Sequence, residues 1–369
     1  MNKTLLVTID ATVGGVANYY QGICDHLPSD KVSILTVKKD KIFYSKNYPV
    51  FRRNLISDLP IWSKWLPIFW HLWKIVKKEK IKTVLVGQIL PVGAVVLCLS
   101  KILNFDYIVF THGMDIILPQ KNLRKKWIAQ KILKNSKIIV ANSNFTKQEL
   151  LKLKTDKNRI ITLYPCPNIK SPASEKIKND LIKKHNLKNK KIILSAARLV
   201  QRKGFDMAIK SIPQVIKKID NFVYIIAGKG EYGDELKKMA RNSNHSDKII
   251  FVGKISDEEL KAFYDLCDLY IMPSRNINGD AEGFGIVYLE AGSFGKPAIG
   301  GNSGGVSEAI IDNKTGILVN PESILEISEA LIRLLKDKDL SDRFGRRARE
   351  RIKNEFNWNQ QVKKLKRFL

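Results

Sequence analysis

One pattern recurs along the chain: a short, almost unbroken apolar run rich in Val, Ile and Leu, then a spacer long enough for a crossover helix. The first runs are Leu5 to Ile9, Val32 to Val37, Thr83 to Val86, Tyr107 to Phe110 and Ile138 to Ala141. Strands buried on both faces read as continuous apolar stretches, and parallel neighbours need crossovers of this kind. The pattern predicts a doubly wound α/β domain. After Ile160 to Tyr164 it stops at Pro165, Pro167 and Pro172, followed by a Lys- and Asn-rich stretch to Lys191. Proline lacks a backbone donor and biases its predecessor towards extended backbone, so a linker is expected here. The pattern restarts at Ile192 to Ser195. It continues through Val223 to Ala227, Ile249 to Val252, Leu269 to Met272, Pro297 to Ile299 and Gly316 to Val319, which predicts a second domain of the same class. Ser256 and Glu259 form a capping-box signature for a helix reaching Leu266. Two such domains facing each other would leave a cleft between the carboxyl ends of their sheets, where ligands of open α/β sheets bind.

Composition removes several classes. A chain of 369 residues with 44% hydrophobic and 27% charged residues is globular rather than disordered, and is long enough for two cores. Cys24, Cys98, Cys166 and Cys267 form no CxxC or CxH pattern, which argues against a disulfide scaffold or structural zinc and for a reducing cytoplasm. Met1 to Asp10 has too short an apolar run for a secretory signal. Val84 to Leu99 is interrupted by Gln88 and Pro91 and falls short of the ~20 residues that span a bilayer. With 64 Lys and Arg against 36 Asp and Glu, the net charge of +28 favours an anionic partner without choosing among nucleic acid, acidic lipid and phosphorylated substrate.

The candidate chemistry sits where runs end. Gly14 and Gly15 follow the first run and precede a helical pattern from about Asn18, so backbone amides there could approach a phosphate; without GxGxxG spacing or a Walker lysine, a plain tight turn is the stronger reading of these residues alone. Arg198 and Lys203 follow Ser195, and a planar guanidinium with a mobile ammonium can neutralise a diphosphate without a metal. A solvated basic loop is the alternative. Ala281-Glu282-Gly283-Phe284-Gly285 precedes a helix carrying Glu290, placing two carboxylates around freed amides. That combination points to sugar hydroxyls beside phosphate oxygens, with a structurally satisfied Glu290 as the alternative.

Taken together, Glu282-x7-Glu290, Arg198 with Lys203-Gly204, Gly228-Lys-Gly230, Gly14-Gly15-Val16 and Thr111-His112-Gly113 resemble the retaining GT-B glycosyltransferases of family 4 over nearly the whole chain. Glu282 to Ala291 followed by Ser303-Gly304-Gly305 is most similar to the bacterial phosphatidylinositol mannosyltransferase-like branch. The resemblance implies an acceptor-binding domain over 1–167, a nucleotide-sugar-binding domain over 168–345, and a C-terminal helix, 346–369, returning to the first domain with Trp358 as its anchor. It implies that Arg198 and Lys203 hold the diphosphate and stabilise the leaving group, and that Glu290 binds the nucleotide ribose. Glu282 and the amides of Gly283, Phe284 and Gly285 would address the donor sugar; Gly15, beside Gly14, would approach the phosphates; Gly253 with Lys254 would lie near the base, and Gly228 would be a further donor-binding residue. His112 would face the donor sugar and reacting centre. No Asp-x-Asp follows a strand, so no metal or other cofactor is expected; the resembled family has no consistently placed carboxylate nucleophile, which implies front-face attack within an ion pair as the route to retention.

Residues 51–80 hold Trp62, Trp65, Trp70 and Trp73 among many cations. They read either as a headgroup-binding surface on an anionic membrane, placing a lipid-linked or glycan acceptor, or as a core helix with a solvated basic face. The expected location is cytoplasmic, peripheral on the inner membrane face. A nucleotide-sugar epimerase, which needs no acceptor, remains an alternative on the same architecture. A nucleic-acid-binding protein ranks last, since no helix-turn-helix, zinc-finger or RNP signature is present.

Overall fold

The computed structural model describes residues 1–9, 14–39, 47–57, 64–168 and 172–369; Asp10 and Trp62 lie outside them. The chain divides into two compact units, Met1–Cys166 with Phe356–Leu369, and Pro167–Glu355.

The first unit is built on a sheet of seven strands: β1 (Thr4–Val7), β2 (Val32–Val37), β3 (Val50–Arg53), β4 (Thr83–Val86), β5 (Asp106–Thr111), β6 (Ile138–Ala141) and β7 (Ile160–Thr162). Their order is β3-β2-β1-β4-β5-β6-β7, every pair parallel. The central strands are buried along their whole length, as their unbroken apolar runs require. Strand β3 departs from that pattern: its Phe51, Arg52 and Arg53 fall in the stretch that reads as amphipathic, and as an edge strand only one side needs pairing.

Further along that stretch the helix Leu66–Glu79 combines both readings. Ile68, Leu72, Ile75 and Val76 are buried in the core, while Trp65, Leu66 and Trp70 remain exposed. Trp73 is half-buried against the core and stacks on Trp70, centroids 5.4 Å apart.

The second unit carries β8 (Lys191–Ala196), β9 (Phe222–Ala227), β10 (Ile249–Gly253), β11 (Leu269–Met272), β12 (Ala298–Gly301) and β13 (Gly316–Val319). They run parallel in the order β10-β9-β8-β11-β12-β13. In both sheets the winding reverses next to the first strand, at β1/β4 and at β8/β11, and such reversals open a crevice beyond the strands' carboxyl ends. The capping box forms as expected: Glu259 N–H donates to Ser256 Oγ, Ser256 N–H donates to Glu259 Oε2, and the helix runs Asp257–Leu266.

Arg346 lies inside a continuous helix, Lys338–Glu355, of the second unit, and the chain rejoins the first unit at Phe356. The last helix, Trp358–Lys366, packs through Trp358 onto the helix Gly15–Asp25. The fit depends on Gly22, where a Cβ would lie 2.2 Å from the indole. Gln361 Oε1 accepts from Tyr164 N–H at 3.1 Å, and Phe356 meets the Tyr164 ring edge-on. Because Trp358 is almost fully buried, Trp358→Ala is expected to destabilise the protein by about 3–5 kcal/mol in urea unfolding. An unchanged midpoint and slope would show that the return contributes nothing.

Candidate functional site

At the carboxyl end of β8 the chain makes a single tight turn, Gln201–Lys203, and enters the helix Phe205–Ile216 through Gly204. Gly204 has φ +75°, and a Cβ there would lie 2.0 Å from the carbonyl oxygen of Pro273, just beyond β11. That close approach lets the two switch-point loops touch. Arg275 N–H donates to the Arg202 carbonyl at 2.8 Å. The Arg275 guanidinium reaches Asp206, in the first turn of the helix, with Nη1 and Nη2 on the two carboxylate oxygens at 3.1 and 2.9 Å. Both side chains are buried.

On this support three charged side chains converge. Lys203 Nζ donates to Glu282 Oε2, and Arg202 Nη1 donates to the same oxygen at 2.9 Å. Arg202 Nε lies 3.0 Å from Asp280 Oδ1. Burial by itself would raise the Glu282 carboxyl, but Lys203 and Arg202 together outweigh it and hold it down at about 2. Burial pulls the Lys203 ammonium downward; Glu282 opposes this, while Arg202 and Arg198 add to it. Lys203 thus sits among positive charges with one carboxylate to balance it, an environment that an incoming anion would stabilise.

The Glu282 loop is held from behind. Gly305 N–H donates to the Glu282 carbonyl at 2.8 Å, and a Cβ on Gly304 would lie 2.3 Å from that same oxygen, so Ser303-Gly304-Gly305 forms its backing. Phe284 is buried, and Gly285, at φ +91°, opens the helix Ile286–Ser293. Glu290 lies on this helix, half-buried, and its Oε2 accepts from the buried Tyr264 hydroxyl at 2.9 Å. Burial raises its carboxyl, with Tyr264 and Lys203 opposing and Asp257 adding. Gly228 N–H donates to the Gly253 carbonyl at 2.7 Å, which joins the ends of β9 and β10, and Lys254 follows, exposed. Arg198, Lys203, Gly228, Gly253, Lys254, Glu282, Gly283, Phe284, Gly285 and Glu290 thus all belong to the carboxyl side of one sheet or the loops and helix leading from it.

Gly14, Gly15 and His112 belong to the first unit. Gly14 and Gly15 stand exposed at the start of the helix Gly15–Asp25. His112 follows β5 and is half-buried, its backbone N–H donating to Asp115 Oδ1 at 2.8 Å and its Nε2 lying 2.7 Å from Tyr20 Oη. Burial lowers the imidazole to about 4.

Arg202, Asp280, Asp206, Arg275, Tyr264 and Tyr20 carry no motif of their own in the sequence. Arg202 adjoins Lys203, and that adjacency is the one signal that points to it; Tyr264, Asp206, Arg275 and Tyr20 have partners 26 to 92 residues away. No helix among the described residues is long and apolar enough to cross a membrane.

Two family models match the chain: "Glycosyltransferase Family 4" over residues 13–169 and "Glycosyl transferases group 1" over residues 177–351. A GDP-mannose-dependent alpha-(1-6)-phosphatidylinositol monomannoside mannosyltransferase of Mycobacterium tuberculosis is 35% identical over 192 residues, 52% of this chain and 50% of that enzyme. The chain therefore spans about half the length of that relative. A GDP-mannose-dependent monoacylated alpha-(1-6)-phosphatidylinositol monomannoside mannosyltransferase of Corynebacterium glutamicum is 28% identical over 96% of this chain and 94% of its own. Among solved structures, Anabaena HepE in complex with UDP and glucose superposes with a TM-score of 0.84 at 17% identity over the full length of both chains. WaaG, a glycosyltransferase involved in lipopolysaccharide biosynthesis, gives 0.73 at 16% identity over 98% of each. These two share the fold, a pair of parallel-sheet domains of the GT-B type.

A carboxyl whose folded pKa lies below its unfolded value adds stability that is complete above the unfolded value and is lost as pH falls through the folded one. For Glu282 that window runs from about 4.5 down to about 2. Glu282→Gln is expected to flatten the acid limb of the stability curve in this window, read by thermal unfolding at stepped pH. A limb of unchanged steepness would contradict the ion cluster.

Proposed function

Given that the chain belongs to the group 1 and family 4 glycosyltransferases, we propose that it moves a hexosyl group from a nucleotide-diphosphate sugar to a glycan or lipid-linked acceptor. The observation that carries this reading is the part-buried Arg202–Lys203–Glu282 cluster at the β8/β11 reversal. A diphosphate arriving there meets Lys203, Arg202 and Arg198, which would stabilise the charge that develops as the sugar–phosphate bond breaks. Glu282 keeps the buried Lys203 and the half-buried Arg202 in place until then. Glu290, oriented by Tyr264, is suited to accept from paired ribose hydroxyls. The donor is GDP-mannose or a UDP-sugar; the mannosyltransferase relatives favour the first and the complex of the HepE structure the second.

In the proposed reaction the acceptor oxygen forms a bond to the anomeric carbon as the bond to the diphosphate oxygen breaks on the same face, retaining configuration. The acceptor's proton passes to the departing diphosphate. Metal independence is part of the proposal: the nearest carboxylates, Asp280 and Glu282, are engaged by Arg202 and Lys203. Release of nucleoside diphosphate is expected only when an acceptor is present, whereas an epimerase would turn over without one. Lys203→Ala and Glu290→Ala should each lower kcat/KM about 100-fold with the fold intact by circular dichroism. Wild-type turnover in both would refute the assignment.

We also propose that the first unit docks on an anionic membrane surface from the cytoplasmic side. Trp70 is 52% exposed beneath Lys74, whose Nζ lies 4.5 Å from the ring, and Lys77 stands the same distance over Trp73. The helix Leu123–Asn135 adds Leu123, 86% exposed, and Trp127, 60% exposed beside Lys131. Apolar rings flanked by lysines suit a headgroup layer of opposite charge. The protein is expected to float with vesicles containing acidic phospholipid at low salt, and Trp70→Ser with Trp127→Ser to abolish this. Equal flotation with neutral vesicles, or none with acidic ones, would remove the membrane from the account.

A further inference from the structure

Among the described residues the Tyr20 hydroxyl meets two groups. It donates to the Gly87 carbonyl at 2.6 Å, at the carboxyl end of β4, and lies 2.7 Å from His112 Nε2. A phenol has one proton. An oxygen–oxygen contact as short as the first requires a proton between the atoms, because two bare lone pairs at that distance repel. The Tyr20 proton is therefore committed to Gly87, and the contact with the imidazole forms only if Nε2 carries a hydrogen and Tyr20 Oη accepts it.

The surroundings leave the ring little choice. Tyr19 and Tyr20 both stand edge-on to the imidazole, with centroids 5.4 Å away, which fixes its plane. The Asp115 Oδ1 oxygen accepts from the His112 backbone N–H. Burial independently favours the uncharged imidazole.

We propose that Tyr20 is a positioning residue that locks His112 in its Nε2–H tautomer, so that Nδ1 acts as a hydrogen-bond acceptor for a hydroxyl of the bound carbohydrate. The hydroxyl's identity rests on the proposed transferase reading; the tautomer lock does not. His112 on this account neither donates a proton to the leaving group nor carries charge to the diphosphate. It orients a hydroxyl by accepting its proton, whereas a ring protonated on Nδ1 would donate to the hydroxyl oxygen and turn that proton elsewhere.

Long-range 1H–15N correlation spectra of the full-length protein labelled at histidine test this, with His112 assigned by its loss in His112→Gln. Between about pH 6 and 8 the wild type should show a neutral ring protonated at Nε2. A proton on Nδ1, or an imidazolium, in that range overturns the proposal. In Tyr20→Phe the His112 signals should move to a tautomer mixture, while kcat falls about tenfold. A mixed tautomer with unchanged transfer overturns the functional half. If the hydroxyl belongs to the donor, hydrolysis of GDP-mannose or UDP-glucose without acceptor falls together with transfer; if it belongs to the acceptor, transfer alone falls. Should Tyr20→Phe fail to fold, the wild-type spectrum still decides whether Nε2 carries the proton, and a proton on Nδ1 there overturns the proposal without the variant. Absence of any transfer by the wild type counts against the proposed function, whereas the spectrum judges the tautomer by itself.

Discussion

A buried guanidinium–carboxylate pair, Arg275 with Asp206, holds together two loops of the second unit, one leading through Lys203 and the other through Glu282. Each loop leaves a different strand of the sheet, and nothing in the strand pairing fixes how the loops meet beyond the last ladder bond. The bidentate contact does so, helped by the backbone bond from Arg275 to Arg202 and by the approach that Gly204 permits. Such a pair contributes little net stability, because desolvating both ions costs about what their attraction returns. Its value lies in geometry: removing either partner leaves a buried charge, so the loops have one low-energy arrangement, and in it Lys203 and Glu282 meet.

Much of the fold is legible in the sequence because parallel strands covered on both faces must be apolar throughout. Residues 83–86, 138–141, 269–272 and 316–319 announce their strands to the residue. Where one side of a strand is free the signal fades, and Val50–Arg53, half polar at the sheet edge, reads as the start of an amphipathic segment. The tryptophan-rich region illustrates the same limit. Periodicity tells that a helix has an apolar stripe and an aromatic stripe, yet only packing shows that Ile68 and Leu72 enter the core and Trp70 does not.

The candidate site divides along similar lines. Lys203, Glu282 and Glu290 stand out because residue type and strand-end position together carry chemical meaning. Their partners do not. Asp206 in a first helical turn reads as an ordinary complement to the helix dipole, Arg275 as one more cation in a chain of net charge +28, and Tyr20 and Tyr264 as core aromatics. What makes each matter is a contact bridging 26 to 92 residues of sequence. The ion cluster carries a further correction of emphasis: Glu282 engages Lys203 and Arg202, so a carboxylate implied to address sugar hydroxyls also restrains the cations meant for the diphosphate.

The two units treat charge in opposite ways. In the second, buried cations are retained and balanced by a carboxylate, which suits a ligand bringing its own negative charge. In the first, burial favours a neutral His112, held edge-on to two tyrosine rings, which suits a ligand presenting hydroxyls. In both, a buried phenol contacts the side chain to which a role is proposed, Tyr264 at Glu290 and Tyr20 at His112. A phenol fits this position because it adds no charge to be desolvated and its ring contributes to the core. Its single proton also makes the direction of the bond unambiguous wherever a second acceptor is present. At Tyr20 that second acceptor is the Gly87 carbonyl. A backbone atom at the end of a central strand thereby determines which nitrogen of a histidine on a neighbouring strand end carries the proton, and the sheet's reversal at β1/β4 becomes part of the site's chemistry as well as its scaffold.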